Sequence, residues 1–256
     1  MSDRLAGCAV LVIRPAGLGE RLAALVRDEG GEAIVFPAIE VLATSRPSRL
    51  DALIARLHTF DWAVFISPTA ARQGVGAVRA RRAWPEQPRI AAIGRGTAAA
   101  LAEMGFANVL APEAPGDTDS LLALPELQDV AGQNVVVFRG EGGREKLARV
   151  LAERGARVEY GECYRRARPE ADVTDLVSRW QAGDIQAVCA ASRESLANLR
   201  AMLGSDNAAM LAATPVFVPH PRIANAAKEL GCERAIVVTG GDASTVEALS
   251  AFFAKV

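Results

Sequence analysis

The chain has 256 residues, half of them apolar, and its 29 basic and 30 acidic side chains leave a formal charge of −1. That much apolar material supports a buried core and excludes a disordered chain, while the balanced charge gives no uniformly basic face for nucleic acid. Cys8, Cys163, Cys189 and Cys232 form no Cys-x-x-Cys pair and no His-Cys cluster, which argues against structural zinc and for a reducing, cytoplasmic setting.

A short apolar run over residues 9–13 reads as the first strand and ends in Arg14-Pro15. It is too short for a membrane span, and no later stretch approaches the ~20 apolar residues that one needs. A helical pattern over residues 18–29 leads to a second strand at 33–36. A third strand, 63–66, closes on Ser67-Pro68, and the basic run Arg79, Arg81 and Arg82 beside Trp84 reads as a solvated helix end. Strands at 90–93 and 109–111 follow.

The series then starts again. Val10-Leu-Val-Ile-Arg14 matches Val135-Val-Val-Phe-Arg139 at a shift of about 125, which also sets Leu22 on Leu147, Gly30 on Gly155 and Ser67 on Ser192. One residue more of shift overlays Ala98 to Gly105 on Ala224 to Gly231. Strands this continuously apolar need helices on both faces, so the duplication predicts two doubly wound parallel sheets of the flavodoxin-like kind. Ligands bind such sheets beyond the carboxyl ends of the strands, which singles out Arg14, Ser67, Gly94, Arg139, Ser192 and the His220-Pro-Arg222 turn.

Gly94-Arg-Gly96-Thr97-Ala-Ala99, with Glu113 about twenty residues on, imitates a dinucleotide fingerprint. The equivalent turn of the second copy, Pro219-His-Pro-Arg-Ile-Ala, has no glycine, so what survives is a helix N-terminus with free N–H groups and the Thr97 hydroxyl, suited to any anion. Arg139-Gly140-Glu-Gly-Gly-Arg144 lets backbone approach a ligand between two guanidinium groups, but it lacks the Gly-Lys-Ser/Thr ending of a nucleotide loop. Ser67 and Ser192 are also ordinary helix caps. His58 reads as a surface residue at a helix end, and the three lysines, Lys146, Lys228 and Lys255, fall in helical patterns, so neither a Ser-His-Asp triad nor a Schiff base has a candidate. Tyr164 lies in Glu162-Cys-Tyr-Arg-Arg-Ala-Arg-Pro169, either packed or functional.

Along essentially its whole length the chain resembles the uroporphyrinogen-III synthase family. The motifs that carry the resemblance are Val10-Leu-Val-Ile-Arg-Pro15, Val64-Phe-Ile-Ser67, Ala92-Ile-Gly-Arg-Gly-Thr97, Leu124-Pro-Glu-Leu-Gln with Ala131-Gly, Arg139-Gly-Glu-Gly-Gly-Arg144, Glu162-Cys-Tyr164-Arg and Ser192. It implies two α/β lobes, about 1–38 plus 169–256 and about 43–161, joined by connectors near 37–42 and 160–168 that form a hinge, with Tyr164 on a connector facing the cleft. It implies a hydro-lyase that closes hydroxymethylbilane into uroporphyrinogen III, inverting the last pyrrole ring through a spiro intermediate. Tyr164 is then the candidate acid, and Arg14, Ser67, Gly94, Thr97, Arg139, Gly140, Arg144, Ser192, His220 and Arg222 the candidate carboxylate contacts. No cofactor or metal is implied. The expected partners are the linear tetrapyrrole and, transiently, hydroxymethylbilane synthase, with the chain a cytoplasmic monomer. A two-lobed module that holds a small anion without chemistry is the competing reading.

Overall fold

The computed structural model describes residues 3–113 and 116–254; Lys255 lies outside them. In chain order the elements are β1 (Ala9–Val12), α1 (Glu20–Asp28), β2 (Glu32–Val35), β3 (Glu40–Ala43), α2 (Pro47–Ala55), a 3-10 turn (Leu57–Thr59), β4 (Trp62–Phe65), α3 (Pro68–Arg79), β5 (Arg89–Ala92), α4 (Arg95–Glu103) and β6 (Val109–Leu110). Then come α5 (Thr118–Leu122), a 3-10 turn (Pro125–Leu127), β7 (Asn134–Gly140), α6 (Lys146–Glu153), β8 (Arg157–Ala167), α7 (Thr174–Gln181), β9 (Ala187–Cys189), α8 (Arg193–Ala213), β10 (Val216–Val218), α9 (Pro221–Glu229), β11 (Ala235–Val237) and α10 (Asp242–Phe253). The chain forms two compact units, 1–41 with 167–256 and 42–166. It passes between them within β3 and within β8. No helix of the described residues is long and apolar enough to cross a membrane.

The first unit is a five-stranded parallel sheet ordered β2-β1-β9-β10-β11. Side chains alternate across it. Val10, Val12, Ala187, Cys189 and Phe217 pack with Leu22, Ala23 and Val26 of α1 and Val246 and Leu249 of α10. Leu11, Ile13, Val188, Ala190, Val216 and Val218 pack on the other face with α7, α8 and α9. This two-sided burial is why the strands read as unbroken apolar runs. Within α8 the chain turns at Gly204, whose φ of +73° suits a residue without Cβ.

The second unit is a six-stranded sheet ordered β3-β8-β7-β4-β5-β6, in which β8-β7, β7-β4, β4-β5 and β5-β6 are parallel. Trp62, Val64, Val135 and Val137 face Leu121 and Leu122 of α5 and Leu147 and Leu151 of α6. On the opposite face the Phe65 and Phe138 rings stack at 4.8 Å under α3. Both rings are fully buried, each burial contributing roughly 1.5–3 kcal/mol.

The two copies seen in the sequence exchange strands. At the same shift β1, β2, β4, β5 and β6 correspond to β7, β8, β9, β10 and β11, yet the first sheet combines β1 and β2 with β9, β10 and β11, and the second combines β7 and β8 with β4, β5 and β6. Pro37 separates β2 from β3, whereas the corresponding stretch of β8, with Glu162 at that position, runs unbroken for 11 residues. A proline has no N–H to give a ladder, so the break falls where it must.

The strands β1, β4 and β5 end one residue earlier than their apolar runs. Ile13, Ile66 and Ile93 already turn into the loops, each donating one last backbone bond, to Cys189, Phe138 and Phe65 respectively. The basic run at the end of α3 is a largely exposed helix end, as its sequence suggests, but its arginines are engaged. Arg79 donates to the Met104 carbonyl, Arg82 to the Ala55 carbonyl, and Arg81 pairs with Asp51, so the three tie α3 to its neighbours.

Candidate active site

Along the carboxyl edge of the second sheet the candidate groups fall in strand order: Tyr164 on β8, Arg139 and Gly140 at the end of β7, Ser67 after β4, Gly94 and Thr97 after β5, and Gly116 after β6. At about 4.8 Å per strand the row extends about 19 Å.

Its β5 end is a cavity of about 500 Å³ lined by Ser67, Gly94, Arg95, Thr97, Glu113 and Gly116, among others. Ser67 caps α3, its Oγ accepting from the Ala70 amide at 3.0 Å, and Thr97 is buried in the first turn of α4. Helix starts of this kind leave backbone N–H groups unpaired and favour anions. Gly94 is required by packing, because a Cβ there would stand 2.5 Å from Gly116 Cα. Gly96 has no neighbour within 4 Å of such a Cβ. The glycine pattern that imitates a dinucleotide fingerprint thus reflects one close crossing of two backbones.

At the other end, the β7–β8 ladder shifts register between Arg139 and Gly140, so that Glu162 opposes Arg139 and Tyr164 opposes Gly140. Cys163 takes up the extra position, its thiol donating to the Arg139 carbonyl at 3.4 Å. The Tyr164 ring lies against Gly140, where a Cβ would come within 2.8 Å of the ring and 3.2 Å of Oη. Tyr164 therefore lies on β8, the strand within which the chain passes from one unit to the other, and is 2% exposed. Among the described residues its hydroxyl has no hydrogen-bond partner and is not a buried unpaired atom, so its proton remains available.

Arg139 is 3% exposed. Its Nε donates to the Gly140 carbonyl at 3.2 Å and its Nη1 to the Arg144 carbonyl at 3.4 Å, and its guanidinium carbon stands 4.6 Å from the centre of the Tyr160 ring. Gly143, at φ +100°, leaves room for Nη2. Arg139 shapes the loop, and Arg144 is left exposed at its end. Among the described residues Arg139 meets no carboxylate, which is costly for a buried cation unless a ligand supplies one.

The first unit treats the equivalent arginine differently. Arg14 Nη1 donates to Asp242 Oδ1 at 2.6 Å, both side chains are largely buried, and Arg14 Nε is buried without a partner beside a cavity of about 30 Å³. Ser192 is engaged as the cap of α8, accepting from the Ser195 amide and donating to the Ser195 hydroxyl. His220 caps α9 with Nδ1, which accepts from the Arg222 amide at 3.0 Å and leaves Nε2 as the N–H of the neutral ring. Arg222 and His220 are exposed, as is His58 in its 3-10 turn.

The sequence singled out neither Asp242 nor Gly116, although the duplication sets Gly116-Asp117 on Gly241-Asp242. Tyr160 and Glu141 were also missed, since both act through a fold that local pattern does not encode.

The family model described as "Uroporphyrinogen-III synthase HemD" matches residues 20–247. The chain belongs to the uroporphyrinogen-III synthase family. Uroporphyrinogen-III synthases of Escherichia coli K12 and Salmonella typhimurium LT2 are each 33% identical to it over 236 residues, 91% of this chain and 96% of theirs. A solved structure of a mutant uroporphyrinogen III synthase from the extremely thermophilic bacterium Thermus thermophilus shares the fold, with a TM-score of 0.63 at 20% identity, covering 97% of this chain and all of that one.

Proposed function

We propose that the chain performs the reaction its family is named for, the cyclising dehydration of hydroxymethylbilane to uroporphyrinogen III with inversion of ring D. The row on the second sheet carries it, with Tyr164 as proton donor. The observation behind this reading is what the end of β7 carries: a phenol with an unengaged proton set against Gly140, and at the preceding residue a buried arginine without a carboxylate.

The substrate bears acetate and propionate groups on each pyrrole. A row of about 19 Å from β8 to β6, with cationic Arg139 and Arg144 about 10 Å from the helix starts at Gly94 and Thr97 and with Ser67 between them, suits a long ligand with repeated carboxylates. On the first unit Arg222 and the Nε2–H of His220 offer the same chemistry, while Arg14 and Ser192 do so only if their present bonds open.

Tyr164 hands its proton to the terminal hydroxyl, which leaves as water as the pyrrole nitrogen pushes electrons into the ring. The substituted carbon of ring D attacks the resulting electrophile to give the spiro intermediate, which fragments and recloses inverted. The ring proton lost at the end restores the phenol. Phenols hold their proton at neutral pH without special tuning, and acid help of this kind contributes about 10²- to 10⁴-fold. Most of the enzyme's task is orientation, since bilane left alone closes without inversion. Action as a cytoplasmic monomer, with the unstable bilane delivered in transient contact with hydroxymethylbilane synthase, belongs to the same reading.

The test is to supply fresh hydroxymethylbilane, oxidise the products and separate type I from type III porphyrin. Type III should predominate with the natural chain, and Tyr164→Phe should lower kcat by about 10²-fold and raise the share of type I. Type I at the spontaneous rate with the natural chain would overturn the activity. Unchanged turnover and isomer ratio in Tyr164→Phe would overturn the acid.

A further inference from the structure

Glu141 follows Gly140 directly and lies outside the row of candidate contacts, yet it is bonded on two sides. Its Oε1 accepts from Thr44 Oγ1 at 2.8 Å, from Ser45 Oγ at 2.9 Å and from the Ser45 amide, and its Oε2 accepts from Ser45 Oγ at 3.0 Å. Its own amide donates to the Tyr164 carbonyl at 2.8 Å. Thr44 and Ser45 form the turn between β3 and α2, and β3 is the strand that flanks β8. Arg46 of the same turn reaches Glu162 on β8 at 3.2 Å. One residue at the exit of β7 therefore joins the end of β3 to the stretch of β8 where Tyr164 stands.

The bonds also favour the charged form of the side chain. The Thr44 hydroxyl first, and then the Ser45 amide, hold the Glu141 carboxyl below the ordinary carboxylate range, so it accepts with full charge at neutral pH. Charge-assisted bonds of this kind are short and directional, which is what fixing a neighbour requires.

We propose that Glu141 is a positioning residue for Tyr164: its carboxylate pins the turn after β3, its amide pins the Tyr164 carbonyl, and together they set where the phenol stands over Gly140. This rests on Tyr164 being the proton donor. Glu141 itself never meets the substrate.

A misplacement of about 1 Å at a reacting group costs up to ~10²-fold in rate. Glu141→Ala should accordingly lower kcat about 10- to 100-fold, with KM changed less than about 3-fold and more type I product. Glu141→Gln keeps an acceptor oxygen for Thr44 and Ser45 and should restore most of the rate. Introduced together with Tyr164→Phe, Glu141→Ala should cost nothing further, since it acts through the phenol. A clamp that merely supported the fold would lower Tm and leave kcat per folded enzyme unchanged, or would cost the same factor with Tyr164→Phe present; either result overturns the proposal. If Glu141→Ala does not fold, Thr44→Val with Ser45→Ala removes the side-chain bonds and is judged by the same criteria. Tyr164→Phe alone distinguishes the two readings: if it is inert, the acid falls and this role with it, whereas a damaging Tyr164→Phe beside an inert Glu141→Ala overturns only the positioning role.

Discussion

Arg14 Nη1 lies 2.6 Å from Asp242 Oδ1, an ion pair between the loop after the first strand and the first residue of the helix Asp242–Phe253. Their counterparts in the other copy, Arg139 and Asp117, behave differently. Asp117 caps its own helix through the Ser120 amide and hydroxyl, and Arg139 turns onto Tyr160 and the carbonyls of its loop. The duplication has diverged at its most polar position: one unit neutralises the arginine internally and the other leaves it a cation.

Asp242→Asn weakens the pair and leaves the partly buried Arg14 with one charge uncompensated. A charge-assisted bond in this setting is worth about 2 kcal/mol, so Tm should fall by about 4–8 °C. Calorimetry measures this, and an unchanged Tm would mean that water replaces the carboxylate at no cost.

Gly140→Ala places a methyl 2.8 Å from the Tyr164 ring. The ring must move, and kcat should fall by about 10²-fold with circular dichroism unchanged. Steady-state kinetics and porphyrin isomer ratios read the result.

Two glycines of α3 should respond in opposite directions. Gly76→Ala meets nothing within 4 Å and should stabilise by about 0.5–1 kcal/mol through helix propensity. Gly74→Ala gains the same propensity but forces a methyl to 2.8 Å from Phe138 and 3.1 Å from Phe65, rings already stacked on each other. Overpacking of this kind costs about 1–3 kcal/mol and outweighs the gain. Urea titration of the two variants separates the effects.

The thiols should report burial. Burial pushes Cys163 and Cys189 up to about 12, whereas Cys8 is raised but only half-buried. At pH 8 the thiolate fraction of a group near 12 is about 10⁻⁴. Iodoacetamide should modify Cys8 first and reach Cys163 and Cys189 only after unfolding, with mass spectrometry of the peptides giving the order.

On the acid side, Asp117 and Glu141 sit below the ordinary carboxylate range, held there chiefly by the hydroxyls of Ser120 and Thr44. Their folded values lie below their unfolded ones, so their contribution is complete above the unfolded value and fades as pH falls through the folded one. Stability should decline below about pH 5, and Asp117→Asn should flatten that decline in thermal scans across pH.

Much of the architecture was legible because parallel strands buried on both faces cannot hide their apolar runs. The duplication was legible too. Self-comparison cannot say which copy's strands share a sheet, because covalent order is silent on the exchange of β1 and β2 for β7 and β8. At the site, residue type marked Arg14 and Arg139 equally, and only the fold separates the arginine paired with Asp242 from the one stacked on Tyr160. Gly94 was noticed for a pattern whose cause is Gly116, a residue with no side chain to advertise itself.

The strand exchange also bears on how the chain is made. Unit 42–166 is continuous and has every strand of its sheet once its last residue has emerged. The other begins with β1 and β2 but must wait for β9, β10 and β11, which are translated after unit 42–166. Since domains fold as units during synthesis, the later-starting unit finishes first, and β1 and β2 have only each other until β9 emerges. A nascent chain halted after residue 166 should protect unit 42–166 from proteolysis while β1 and β2 remain cleavable, so two strands made before that unit join a finished sheet only after it.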